Sequence, residues 1–460
     1  MAAVQNVEDN DDGPLPTCPD PHVDPAGYLR SIQAVRERCG VVFDKARRNE
    51  LRHFEVDWSK FDETSKWVEK IIRRDFQGDY SKIPPHGRWQ HFEVGGRPRV
   101  GQLISTWPNS IVDVQEQTRR LIDLFMVSVL LDAGAGTQWS YRSKENGRLY
   151  NRSEGLAVAS IEMFKAGAFS SDPVEKCQVD AEGLKQLTVQ YLGKGLQVSE
   201  HNPIEGLEGR TGLLQRLGDA LAINPEMFGA TARPGNMLDY LLAHPTTEAS
   251  GGPVIQVTTL WDVLMTGLAP IWPASRHTIN NIPLGDCWPC TTMPSTPDWA
   301  NFVPFHKLTQ WLAYSLMGPM ERLMGARFRN IKLMTGLPEY RNGGLLIDTG
   351  LLTLKEADRK VGERQYHEHM KARGVESMEV VPAFEPSDDV VVEWRAVTVG
   401  FLDEIAKSVN ERLGLTGKSA LSLAQVLEAG TWKGGREIAA VSRPNTKEPP
   451  IMIISDGTVF

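Results

Sequence analysis

Apolar residues recur every three or four positions in run after run, each closed by glycine or proline, and this constrains the chain more than any other feature. VDVQEQTRRLIDLFMVSVLLDAGAG, RSEGLAVASIEMFKAGAF, GRTGLLQRLGDALA, HKLTQWLAYSLMGPMERLMG and VVEWRAVTVGFLDEIAKSVNERLG are the clearest cases. Ser153 is a candidate N-cap for the second. Strand-like runs are few: GGLLIDTGLLTL, from Gly343 to Leu354, and the terminal PPIMIISDGTVF, whose Asp456-Gly457 turn suggests a docked chain end. The pattern predicts a mainly α fold, one large helical domain over residues 26–460 with a minor β component. Residues 1–25 are acidic and proline-rich without periodicity, and predict a mobile tail. Pro84 to Pro108 reads as loop and turn, with room for one short hairpin, and its His86, Arg88, Trp89 and His91 suit a lid or a pocket wall. No repeat of roughly 20–50 residues is present. Neither GxGxxG nor GxxxxGK[ST] occurs, so the nucleotide-binding folds lack their fingerprint.

Charge narrows the partners. Lys and Arg number 50 against 58 Asp and Glu, a net charge of -8, with no long basic cluster. A nucleic-acid partner is therefore not expected, although a local phosphate pocket is compatible with the balance. The longest apolar run, Leu124 to Leu131, is far too short to span a bilayer. The N-terminus has no basic segment followed by an apolar run, so no signal peptide is read there. Five scattered cysteines do not form a disulfide framework. These features predict a soluble cytoplasmic protein acting on a small molecule, with no membrane partner and no cofactor.

Five segments carry candidate chemistry. Gly134 to Gly155 joins two apolar helices and holds Trp139, Tyr141, Arg142, Arg152 and Glu154. It reads either as a ligand loop, with aromatics stacking and arginines clamping an anion, or as a solvated loop with aromatic anchors. His201 to Gly218 sets Glu205, Glu208 and Arg210 just before a helix, which suits an anion site or a capping carboxylate paired with Arg210. GDCWPC offers Cys287 and Cys290, and with His306, His367 or His369 it allows a zinc reading; two packed thiols are the plainer one. Asn301 to Pro319 is an amphipathic helix whose second face carries His306, Lys307, Gln310, Trp311 and Tyr314. A solvated face favours Glu, Lys and Arg, so this face is read as a pocket wall, against the alternative of a satisfied core histidine. LPEYRNGGLLIDTG adds Glu339, Arg341, Asn342 and Asp348, either around a substrate hydroxyl or in an Asn342-Gly343 hairpin with Glu339 and Arg341 paired across it.

Read together, GTQWSYRS, RSEGLAVAS, MFKAGAFSSDP, GLEGRTGLLQRLG, RPGNMLDYL, GDCWP, VPFHKLTQWLAYSL, PEYRNGGLLIDTG, VEWRAVTV and SDGTVF resemble the uracil-catabolism protein four (uracil-regulated protein three) family, over nearly the whole chain beyond the tail. The chain departs from that pattern at Cys290, where a His after WP is usual, and this weakens the zinc reading. FHKLTQWLAYSLMGP is also remotely similar to a helix of the queuosine-salvage N-glycosylases, which implies a helix-hairpin-helix glycosylase-like fold. Those enzymes carry an acid where this chain has Ala313. The resemblance implies pyrimidine catabolism: hydrolysis of the N-glycosidic bond of a ribosylurea-type intermediate, or of its 5-phosphate, releasing urea. On that reading Asp286 or Glu208, with Asp348 behind them, is the carboxylate near C1′, and His306 is the proton donor. Lys307, Arg152 and Arg341 are set against a 5′-phosphate, and Trp139, Tyr141, Trp288, Trp311 and Tyr314 wall the pocket. Two other readings stand beside it: a regulatory protein that binds a uracil metabolite without chemistry, and a zinc hydrolase of the ureido group.

Overall fold

The computed structural model describes residues 13, 15–136, 138–374 and 379–454. Most of them are helical, and the strands form small sheets of two or three. The principal helices are α1 (Ile32–Arg47), α2 (Phe61–Phe76), α3 (Val114–Leu130), α4 (Arg152–Lys165), α5 (Leu207–Ile223), α6 (Lys307–Met324), α7 (Tyr340–Asp348), α8 (Glu356–Ala372), α9 (Asp389–Leu413) and α10 (Trp432–Ser442).

Local chemistry sets their ends. Side chains of Ser31, Asp113 and Asp388 accept backbone N–H groups in the first turns of α1, α3 and α9. Gly325 and Gly414 close α6 and α9 in the left-handed conformation. Helix α4 differs from expectation. It opens at Arg152 with no side-chain cap, and the Ser153 hydroxyl serves Asp132 instead.

Two apolar clusters make up most of the core. One joins α3, α4, α5 and α6; the other joins α1, α7 and α9. The apolar stretch from Gly343 does not begin as a strand. Glu339 accepts the N–H groups of Arg341 (2.8 Å) and Asn342 (2.5 Å) and nucleates α7 there, so no Asn342-Gly343 hairpin forms. Only Leu352–Leu354 is extended, antiparallel to Phe54–Val56. Pro84 to Pro108 contains short helices at Arg88–Phe92 and Arg99–Ser105 rather than a hairpin. The expected tail has contacts before residue 26: the Pro16 carbonyl accepts from Gln33, and Asp24 caps a helix over Pro25–Arg30. The first twelve residues, residue 14 and the terminal SDGTVF lie outside the described residues. Among the described residues no helix is long and apolar enough to cross a membrane.

Helices α7 and α10 meet backbone to backbone. A Cβ on Gly435 would sit 2.0 Å from the Arg341 carbonyl oxygen, so only glycine allows this approach. Gly435→Ala should therefore cost about 1–3 kcal/mol or more. A guanidinium unfolding midpoint equal to that of the parent chain would contradict the contact.

Candidate active site

The antiparallel pair Cys287–Pro289 and Phe302–Pro304 brings Asp286 against Phe305 and His306. The Asp286 carboxylate is fully enclosed and takes both guanidinium arms of Arg395 at 2.8 Å. It also accepts the Trp288 indole N–H (2.7 Å) and the Lys307 backbone N–H (3.0 Å). Burial works against its charge, but Arg395 overcomes this and holds the carboxyl well below the usual range. His306 precedes α6 in a left-handed conformation (φ 44°), and its Nε2 bonds the Leu29 carbonyl at 2.8 Å. Burial lowers its pKa to about 4, so at neutral pH the ring is uncharged and that Nε2–H donates.

Asp286 and His306, expected to be catalytic, thus have no access to substrate; they fix the start of α6. Glu208 lies exposed on the first turn of α5. Arg210 turns inward and donates to the carbonyls of Leu131, Ala133 (3.2 Å), Gly134 (2.6 Å) and Glu205 (3.3 Å), clamping the end of α3. The expected aromatic walls are largely core. The Trp139 indole donates to the Leu196 carbonyl, the Tyr141 hydroxyl to Glu162, and the Tyr314 hydroxyl to the Thr335 carbonyl. Gln310 bonds the Thr335 hydroxyl. Asp348 takes Arg443 bidentately (2.9 and 2.5 Å) at the far end of α7. Cys287 and Cys290 are buried thiols pushed up by desolvation, Cys290 to about 12, while His367 is exposed on α8. Among the described residues no group of three or more His, Cys, Asp or Glu is placed to hold a metal ion.

Other expected residues converge. Tyr340 is 37 % exposed and lines a small cavity with Pro338, Glu339, Trp394 and Arg395; desolvation raises its phenol to about 12. Its charged neighbours are Arg341, Glu339, Glu448 and Asp132. Lys307 opens α6 beside them; desolvation lowers its ammonium, and Glu339 and Asp132 work the other way. Burial raises Glu339 above an ordinary carboxyl, and its two helix N–H groups, Lys307 and Arg341 offset this only in part. Asp132 behaves oppositely. Burial opposes its charge, but Arg88 at 2.8 Å, His91, Ser153 and Lys307 together hold it low. Behind Asp132, His91 packs edge-on against Trp311 (5.6 Å) and Trp432 (5.4 Å), with neither ring nitrogen bonded. Burial lowers its pKa to about 4. Arg152, Glu154, Arg341 and Arg436 form the adjoining side.

Lys307, Glu339, Arg341, Arg152, Glu154 and Trp311 are therefore the expected residues brought together. Asp132, Tyr340 and Arg436 were missed, whereas His91 belongs to the Pro84 to Pro108 segment already singled out. Asp132 left one signal: a carboxylate directly after the apolar run ending at Leu131, where a charge without a function would be costly.

The arrangement defines a helical protein in which buried carboxyl and basic groups meet where two apolar clusters adjoin. The chain belongs to the family described as Protein of unknown function (DUF1688), whose pattern matches residues 28–460. It is 45% identical over 445 residues to the Uracil catabolism protein 4 of Lachancea kluyveri, covering 95% of this chain and 99% of that one. It is also 45% identical over 432 residues to the Protein urg3 of Schizosaccharomyces pombe, covering 94% and 98%.

Two stability predictions follow from this geometry. Arg395→Met strands the enclosed Asp286 charge and should cost about 3–5 kcal/mol; an unshifted unfolding curve would refute the account of that pair. His91 and His306 titrate near 4 in the fold against 6.5 for the free side chain. Between those values the unfolded chain takes up protons that the folded chain refuses. Stability is then complete above pH 6.5 and lost as pH falls toward 4. His91→Gln should flatten the slope of unfolding free energy against pH in that window, and an identical slope would count against it.

Proposed function

We propose that this chain acts in uracil catabolism by hydrolysing the C1′–N bond of a ribosylurea-type compound, releasing urea and the ribose moiety. The relatives' printed names support the pathway, in that one is called a uracil catabolism protein. The chemistry rests on one observation: burial pushes Glu339 up while Arg88 and its neighbours hold Asp132 down, both within electrostatic reach of Lys307. Two carboxyls driven apart in this way divide into an acid and a base. Glu339 is the proton donor to the departing urea nitrogen. Asp132, ionised, faces the positive charge that develops on the ribose and takes a proton from the water that adds to C1′. One proton leaves Glu339 and one arrives at Asp132, so the step balances as hydrolysis. Lys307 keeps the two carboxyls oriented. The catalytic carboxylate is thus moved from Asp286 to Asp132.

Incubation with ribosylurea and its 5-phosphate, with urea and ribose quantified, tests the reading. Asp132→Asn and Glu339→Gln should each lower kcat by about 10²–10⁴-fold, with the circular dichroism spectrum retained. Near-parental turnover in either variant removes that residue from the mechanism. Ligand binding by the parent chain without urea release would instead establish a metabolite-binding protein.

A further inference from the structure

We propose that Arg152, Arg341 and Arg436 form a subsite for a phosphate monoester, so that the substrate carries a 5′-phosphate. The ribosyl part of this inference rests on the function proposed above; the anion site does not. The three guanidinium groups come from α4, α7 and α10, and those of Arg341 and Arg436 lie within electrostatic reach of Arg152. After desolvation, Arg341 is the largest influence on Arg152, and Arg436 acts on it in the same sense. Like charges gathered in a half-buried place repel unless an anion joins them.

Their protein contacts leave donors over. Arg152 reaches the Thr446 carbonyl and Glu448 only at 3.4 Å, both through Nη2. Arg341 gives one N–H to the Lys447 carbonyl at 2.9 Å, and Arg436 one to Glu154 at 2.5 Å. Among the described residues the remaining N–H groups of these arginines have no acceptor, more than Glu154 and Glu448 use. Arg152 is held at φ 53°, a conformation uncommon outside glycine, at the first residue of its helix. It and Arg341 sit in the first turns of α4 and α7, where the helix ends also favour negative charge. A dianion with three equivalent oxygens suits three such forks. Lys307, first set against a phosphate, lies instead within electrostatic reach of Asp132 and Glu339.

Calorimetric titration of the full chain with ribose 5-phosphate, ribose and inorganic phosphate at fixed ionic strength is the test. Ribose 5-phosphate should bind at least about tenfold tighter than ribose. Arg152→Gln, which removes only long contacts and so spares the fold, should cut that preference about 10–100-fold. Arg436→Gln should do the same. Equal binding of ribose and its phosphate, or a preference untouched by both variants, overturns the inference. Arginine-dependent phosphate binding without urea release keeps the subsite and removes the hydrolase. Urea release from both substrates at equal rates, unaffected by Arg152→Gln, does the reverse.

Discussion

The Asp286–Arg395 pair governs the site. Through Asp286 it caps α6 and so sets Lys307; through its Nε, Arg395 also donates to the Pro338 carbonyl at 3.2 Å, next to Glu339. One buried guanidinium thereby registers the starts of two helices from two apolar clusters. An enclosed ion pair is a poor source of net stability, because desolvation consumes most of its attraction. Its value here is positional: the geometry is bidentate, both bonds between the pair are 2.8 Å, and the Phe305 ring centre lies 4.1 Å from the guanidinium carbon.

A second scaffold acts from the other side. Arg210 gathers the carbonyls at the end of α3, which would otherwise be orphaned, and so shapes the turn that carries Asp132. Arg88 ties Asp132 to the core by bonding it and Ser128 at once, both at 2.8 Å, and Ser128 in turn bonds Ser160 on α4. Gln310 and Tyr314 hold Thr335 and with it the segment leading to Glu339. Many polar residues that look catalytic in the sequence form this supporting layer. They meet the same chemical requirement, a hydrogen bond in a dry place, but direct it toward backbone rather than ligand.

Placing the site on a seam has a consequence for its electrostatics. Helices α4, α6 and α7 each begin there, so backbone N–H groups and positive helix ends surround it. Arg88 above all, with His91, Ser153 and Lys307, lets Asp132 stay ionised although buried. Glu339 lies at such an end too, yet burial outweighs it. Two carboxyls with similar partners thus diverge because one adjoins the fully buried Arg88 and the other does not.

Sequence alone determined the helical class, the main helices and the family resemblance, because 3.6-residue periodicity and ordered motifs are properties of the chain itself. It also picked out Lys307, Trp311, Glu339, Arg341, Arg152 and Glu154. Their chemistry is unusual at their positions wherever they point. It misread Gly343 onward as a strand, since a short apolar run has no decisive period and Glu339 as cap settled the matter. It could not separate Asp286 from Asp132. Both are carboxylates beside apolar residues, and only the fold decides which one is enclosed by Arg395, Trp288 and a backbone N–H and which keeps an edge toward solvent. Burial and partners from distant segments set acidity, and no local pattern encodes them.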